Sequence, residues 1–367
     1  MRAYAELEGS AVDDRRRPAT SAKTGAVHET VDGAKAGVVR RPPSLLLCVE
    51  VALGGEDMLP SVSPWPALNY DEWSETCDTL HGHTQVLGKL AVKLAPPEPQ
   101  LQHAALRLTA RGWETWPLPA PDGSGSLVVA LDLHRHEAIV EHSGREVRTI
   151  ALTPDRAVGD VARAVLDAVR ELGGAVEIDP TPQEVSWTLP LDEDHEHHTY
   201  DADQVARHFA GATQVALVLA EFRAPYRGRS TPVNAWWGSF DLAVSLFSGA
   251  PADPPSGDFI MRNSMDAQEV AIGWWPGMPQ YPKAAFYGYA HPAPEGFASG
   301  PVRPAVARWD MTFGGQFILD WDDVVTSSDP RRTALDFARS LFAYSCDVCV
   351  WDRTLAASAQ RIPPPVS

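Results

Sequence analysis

Two periodicities alternate along this chain, and their alternation restricts it to a mixture of helices and sheets. Residues 71–87 carry apolar or small side chains at helical spacing, and residues 155–172 do so again before a glycine stop at Gly173-Gly174. Between them lie short β-rich runs separated by turn residues, at 90–94, 105–109, 127–133, 138–141 and 147–152. This half of the chain therefore predicts a sheet between two helices.

The second half of the chain gives the same order of elements. Helical periodicity covers residues 201–222 and 332–350, and strand-like runs lie between them at 235–247, 270–275, 284–289, 306–311 and 316–319. We therefore predict an α+β fold of mainly antiparallel sheets flanked by helices, in two lobes that divide near residue 190. The shared order suggests an internal duplication, but local echoes such as Thr84-Gln85-Val86 and Thr213-Gln214-Val215 are short enough to arise by chance. Both interpretations stay open.

The ends of the chain lack the periodicity of its centre. Residues 1–57 are rich in Ala, Gly, Arg and Asp and have no apolar face, which is typical of disordered segments. An apolar run at 44–53 resembles the core of a signal peptide, but Glu50 interrupts it and no small-residue cleavage site follows. The predicted organisation is a disordered extension at 1–57, a first lobe at 58–190, a second lobe at 191–355 and a disordered tail at 356–367.

The charge balance argues against two classes of partner. The chain has 31 Lys and Arg against 48 Asp and Glu, a net charge of −17 that repels nucleic acid and anionic membrane surfaces. No run approaches the roughly 18 consecutive apolar residues of a membrane span. The cysteines, Cys48, Cys77, Cys346 and Cys349, are too few and irregular for a disulfide framework, which favours a reducing compartment. We predict a soluble cytoplasmic protein that binds neither nucleic acid nor membranes, and leave its oligomeric state open.

A set of aromatic and polar motifs gives the chain a family resemblance. The motifs are Trp65-Pro66-Ala67-Leu68, Glu72-Trp73 with Thr76, Thr79-Leu80-His81 with Thr84-Gln85, Trp237-Gly238-Ser239-Phe240-Asp241-Leu242-Ala243, Trp275-Pro276-Gly277 and Trp351-Asp352-Arg353. Together they resemble a bacterial family classed as a domain of unknown function, over about residues 64–353. The resemblance implies no activity, cofactor or catalytic residue.

This chain departs from the family pattern at several positions. A stretch similar to Asn-His-Trp-Trp is replaced by Pro99-Gln100-Leu101-Gln102, two histidines are replaced by Asn234 and Gln268, and a lysine is replaced by Arg229. The resemblance therefore implies that these positions have changed their chemistry in this chain.

The candidate site residues are polar side chains set within otherwise apolar motifs. We predict that they share a pocket between the lobes, with His81 as acid/base, Asp241 as the orienting carboxylate, and further ligand-binding groups at Lys89, Arg223, Ser239, Trp237 and Tyr287. Lys89 and Arg223 would bind an anion. Buried charges must be paired, so the alternative is structural: an Arg223–Asp241 ion pair, with His81 as a core residue bonded to a carbonyl.

The densest polar segment, residues 192–201, offers imidazoles and carboxylates of the kind that bind divalent metals. His197 is the candidate metal ligand. The competing interpretation is a solvated loop that caps the helix beginning near Asp201, because adjacent loop residues point in different directions. No motif identifies a cofactor, which stays unknown.

The functional hypothesis is binding, with turnover as an open extension, of a small polar or anionic molecule in a cleft between the lobes. The alternative is a non-catalytic structural or protein-interaction protein whose tryptophans form a core. Nucleophile elbows, P-loops, dinucleotide fingerprints and zincin helices are all missing from the sequence. Whether the protein is an enzyme is therefore open from sequence.

Overall fold

The computed structural model describes residues 63–257 and 259–355. The predicted extension at 1–57 and the predicted tail at 356–367 lie outside these residues. The α-helices are α1 (Tyr70–Leu94), α2 (Val158–Gly173), α3 (Ala202–Arg223), α4 (Phe259–Ser264), α5 (Trp321–Val325) and α6 (Pro330–Val348). Short 3₁₀ turns occupy Pro99–Ala104, Phe297–Ser299 and Arg353–Leu355. No helix in this part of the chain is long and apolar enough to cross a membrane.

The first sheet is an antiparallel meander built from the first half of the chain. Its strands are β1 (Arg107–Leu108), β2 (Gly112–Glu114), β3 (Leu118–Pro119), β4 (Ser126–Asp132), β5 (Glu137–His142) and β6 (Val147–Ala151). They lie in the order β1-β2-β4-β5-β6, and β3 pairs with β4. The run at 90–94, expected as a strand, is instead the last turn of α1, because Leu90 and Ala91 continue the buried surface of that helix.

The second sheet is also antiparallel throughout. Its strands are β7 (Asn234–Trp236), β8 (Asp241–Pro251), β9 (Ala267–Trp275), β10 (Ala285–His291), β11 (Arg308–Asp310) and β12 (Gln316–Asp320). They lie in the order β11-β12-β10-β9-β8-β7. The single run expected at 235–247 is a hairpin, because the turn at 237–240 separates β7 from β8.

The predicted α+β class of helices and antiparallel sheets is confirmed. The strand orders differ, however, because β12 lies between β10 and β11 and thereby breaks the chain order that the first sheet keeps. A duplication is therefore not shown. The described residues belong to one compact unit, and Leu106 and Ala235 exchange backbone hydrogen bonds of 3.0 and 2.8 Å between the sheets. The division near residue 190 falls in the irregular connection at 174–201 and stays a prediction.

Helix α1 lies at the centre of this arrangement. Its N-cap is Asn69, whose side chain accepts from the backbone N–H of Asp71 at 3.3 Å. From residue 79 to residue 91 every residue of the helix is buried, including the polar His81, Gln85 and Lys89. Such a helix must find partners for its polar groups within the protein, since burying them unpaired costs free energy.

Aromatic rings fill the core between α3 and the second sheet. The ring of His208, on α3, stacks between Trp73 and Phe240, with centroid distances of 5.0 and 5.3 Å. His208 is fully buried, and neither ring nitrogen has a hydrogen-bond partner in the described part of the chain. Burial lowers the pKa of His208 from 6.5 to about 3, so the ring is neutral at pH 7.

We predict that His208→Phe makes the protein more resistant to acid. The unfolded chain takes up a proton at residue 208 below about pH 6.5, whereas the folded protein does not until about pH 3. The unfolded state therefore binds more protons in this window, and the wild type loses stability as the pH falls. From pH 8 to pH 5 the free energy of unfolding should shift by about 2 kcal/mol in favour of the variant, measured by urea denaturation.

The control is His198→Gln, which changes an exposed histidine. It should leave the pH dependence of the wild type unaltered. If His208→Phe changes the free energy of unfolding equally at pH 8 and pH 5, the pKa of His208 is not lowered by burial.

Candidate functional site

A cavity of about 270 Å³ lies beside the second sheet, lined there by Trp275 of β9 and Tyr287 of β10. Its walls come from the first half of α1, residues 184–187 of the connection before α3, the β7–β8 turn and the loop after β9. Tyr287 of β10 and residues 313 and 316 around the β11–β12 turn complete them. Tyr70, Cys77, Asp78 and His81 recur on one face of α1, so helical periodicity alone brings them to this wall.

The turn between β7 and β8 delivers the central carboxylate. Phe240 has a φ of 54°, in the left-handed region that a bulky residue rarely adopts. This turn lets Ser239 fold back beside Asp241, the first residue of β8. The hydroxyls of Ser239 and Tyr287 donate hydrogen bonds to the two carboxylate oxygens of Asp241. Burial raises the pKa of Asp241, although both hydrogen bonds act to lower it.

Tyr287 reaches Asp241 across an intervening strand because that strand carries no side chain there. Gly273 of β9 pairs with both Tyr287 of β10 and Ala243 of β8. A Cβ atom on Gly273 would lie 2.4 Å from the Tyr287 hydroxyl oxygen. Trp275 stacks on the tyrosine ring at a centroid distance of 5.1 Å and holds it from the side. The Tyr287 hydroxyl can therefore occupy this position only because residue 273 is a glycine.

His81 has a defined tautomer. Its Nε2 lies 2.9 Å from the carbonyl oxygen of Trp237 and 3.0 Å from that of Gly238. Carbonyl oxygens only accept, so Nε2 carries the proton and Nδ1 keeps its lone pair. Burial lowers the pKa of His81 to about 4, which keeps the ring neutral at pH 7. The ring nitrogen of His81 that is left free is therefore a hydrogen-bond acceptor.

The side chain of Gln85 fastens the backbone beside the wall at 184–187 to α1. The Gln85 amide donates to the backbone carbonyl of Gln183 at 2.7 Å, and its oxygen accepts from the Gln183 N–H at 3.0 Å. These two bonds replace the partners that a sheet would give this irregular backbone. Trp187, four residues later, places its ring 5.7 Å from that of His81.

The structure brings together part of the predicted site. His81, Ser239, Asp241 and Tyr287 all line the cavity. Arg223 does not: it lies at the end of α3 and donates to the Ser230 hydroxyl at 3.1 Å. Arg223 therefore neither lines this cavity nor forms an ion pair with Asp241.

Lys89 and Trp237 also lie outside the cavity wall. The Lys89 ammonium is 3.8 Å from Asp179 and 5.6 Å from the centroid of the Trp237 ring. The indole of Trp237 donates to the Ala104 carbonyl at 3.0 Å and packs on Gly88, where a Cβ would lie 2.0 Å from the ring. Both side chains fasten α1 to its surroundings, because the helix is buried at this point.

His197 is held by a carboxylate. Its Nδ1 lies 2.7 Å from Asp194, and this hydrogen bond raises the pKa of the imidazole. Within the described ranges, no group of three His, Cys, Asp or Glu side chains is arranged to hold a metal ion. The loop interpretation of this segment fits instead, since Asp201 caps α3 by accepting from the N–H groups of Asp203 and Gln204.

The sequence prediction missed several residues of the cavity wall, among them Asp78, Glu184 and Trp187. Asp78 had a usable signal, because it lies three residues before His81 on a helix. Glu184 and Trp187 had none, since the connection that carries them has no periodicity.

The positions that depart from the family pattern meet at a different place. The amide of Gln100 bonds both Asp266 and Arg229, and Asn234 donates to Gln102 at 2.9 Å. Arg229, Asn234 and Gln102 line a second cavity of about 500 Å³, which shares no lining residue with the first. Four of the changed positions thus form one network, distinct from the site around Asp241, whereas the fifth, Gln268, accepts a hydrogen bond from Ser248 at 3.0 Å.

Comparison with known proteins gives one match. A family model described as "Family of unknown function (DUF5996)" matches residues 65–358. No curated protein and no solved structure matches the chain.

We predict that Gln85→Leu loosens the cavity wall. The substitution leaves the N–H and C=O groups of Gln183 without their partner, which typically costs about 1–3 kcal/mol. Amide hydrogen exchange, read by mass spectrometry, should become faster across residues 181–187 and stay unchanged in β4 and β9. The matched control is Gln214→Leu, a half-buried glutamine of α3. Unchanged exchange at 181–187 would show that other contacts hold this wall.

Proposed function

Because the chain belongs to this family of unknown function, whose description assigns no activity, we propose a function from the cavity itself: the protein binds a small polar molecule there. The molecule is held by groups that accept its hydrogen bonds. Turnover of that molecule is an extension of the proposal, which the binding experiment below does not require.

The observation that carries this proposal is the convergence of His81, Ser239, Asp241 and Tyr287 on one cavity. These residues come from α1, the β7–β8 hairpin and β10. Asp241 is only 4% exposed, yet its partners in the described structure are two neutral hydroxyls. A buried carboxylate held by neutral groups alone is costly to maintain, which favours a role in binding over a role in stability.

The lining favours a polar ligand over an anionic one. In the described part of the chain no lysine or arginine lines the cavity, and His81 is neutral at pH 7. The predicted anion-binding groups, Lys89 and Arg223, lie elsewhere. Nothing in the wall would therefore compensate the desolvation of a negative charge.

The same groups supply what proton transfer would need. The raised pKa of Asp241 increases its affinity for a proton, and Nδ1 of His81 offers a second acceptor. A molecule bound between them could exchange a proton with Asp241 while His81 orients it.

The binding test uses benzamide, a small neutral molecule whose N–H groups suit these acceptors, followed by ligand-observed NMR titration. Asp241→Asn should weaken its binding about tenfold or more, because a hydrogen bond to a charged acceptor is lost. The matched control is Asp310→Asn, which changes a carboxylate of β11 outside the cavity wall.

A second variant, Ser186→Trp, should obstruct the cavity and abolish binding, since Ser186 forms part of the wall and is exposed at its surface. Equal binding by the wild type, Asp241→Asn and Ser186→Trp would refute the proposed function and favour the alternative of a structural or interaction protein.

A further inference from the structure

We propose that the molecule bound in this cavity is a small organic cation, a protonated amine with an apolar part. The inference rests on the proposed function and adds to it the charge and class of the ligand. It follows from three independent properties of the wall: its carboxylates, its acceptors and its aromatic rings.

Carboxylates are the charged groups of the wall. Asp78, Glu184 and Asp241 line the cavity, with no lysine or arginine of the described residues beside them. Asp78 is half-buried, and within the described ranges it forms neither a hydrogen bond nor a salt bridge. Burial raises the pKa of Asp78 because it disfavours the charged carboxylate, although the imidazole of His197 acts to lower that pKa. A cation in the cavity would offset this cost for Asp78 and Asp241 together.

Acceptors without a protein donor lie at the same place. His81 is only 8% exposed, and its Nδ1 faces no hydrogen-bond donor of the described residues. The hydroxyls of Ser239 and Tyr287 are already turned to Asp241, so the nearest donors of the wall are occupied there. A protonated amine is a donor at every N–H, so it complements the carboxylate oxygens and the free ring nitrogen of His81.

Aromatic rings complete the wall. Trp275 stacks on Tyr287 and meets the edge of Phe313 at a centroid distance of 5.4 Å, while Trp187 lies on the opposite side beside His81. The faces of such rings attract cations, and they also bury the apolar part of an amine. At about 270 Å³ the cavity suits a molecule of one ring rather than a larger ligand.

An inorganic cation fits less well. No three metal-ligating side chains of the described chain lie close enough together to coordinate an ion. The carboxylates are instead spread over α1, the connection and the β7–β8 hairpin, with rings between them. That spacing matches a cation whose charge is attached to an apolar body.

The experiment compares three probes of nearly equal shape: benzylammonium, benzyl alcohol and benzoate, with charges of +1, 0 and −1. Calorimetric or NMR titration at pH 7 should show benzylammonium binding at least about tenfold more tightly than benzyl alcohol, with benzoate weakest. Added salt should weaken only the binding of benzylammonium appreciably.

Variants then locate the charge preference. Asp78→Asn should lower the affinity for benzylammonium about tenfold and leave that for benzyl alcohol nearly unchanged. Asp78→Glu keeps the charge and should keep the preference. The matched control is Asp71→Asn, an exposed carboxylate in the first turn of the same helix that lies outside the wall. Urea midpoints confirm that each variant is folded.

Each outcome separates the two proposals. If benzyl alcohol binds as tightly as benzylammonium and Asp241→Asn weakens both, the organic cation is wrong while the proposed function stands. If no probe binds, both the proposed function and the organic-cation ligand are refuted. If benzylammonium is preferred but Asp71→Asn reduces its affinity as much as Asp78→Asn does, the preference comes from the acidic surface, and the assigned site is overturned.

Discussion

The burial of a polar helix is the constraint on which this fold depends. His81, Gln85 and Lys89 follow one another at intervals of four on α1, so they form one stripe, and none of them reaches bulk solvent. His81 bonds the carbonyls of the β7–β8 turn, and the other two find partners in the irregular connection: the backbone of Gln183 for Gln85 and the carboxylate of Asp179 for Lys89. The hairpin and the irregular connection take their positions because these groups need partners. The cavity is the space left where the two segments meet the helix.

Sequence periodicity was sufficient for the longer helices and insufficient for the short turns. The helix expected at 201–222 is α3, Ala202–Arg223, and the helix expected at 332–350 is α6, Pro330–Val348. The strand expected at 90–94 failed because a short apolar run cannot distinguish a strand from the end of a buried helix. The hairpin inside 235–247 was missed because its turn depends on a left-handed Phe240, which no propensity predicts.

The site was partly predictable for a related reason. Polar residues within apolar motifs indicate buried polar groups, and this signal identified His81, Ser239, Asp241 and Tyr287. The same signal also selected Lys89 and Arg223, because a buried side chain that fastens two segments looks no different in sequence from one that faces a ligand. Only geometry separates the two. Residues on the aperiodic connection, such as Glu184, could not be found by periodicity at all.

The ring of Phe240 connects the site to the core. It lies 4.9 Å from the ring of His81 in the cavity wall, and 5.0 and 5.3 Å from the rings of Trp113 and His208 in the interior. This part of the cavity lining therefore cannot change independently of the packing behind it. In evolutionary terms, mutations around Phe240 that adjust ligand preference also alter stability. New specificities are therefore accessible mainly from variants that are more stable than folding requires.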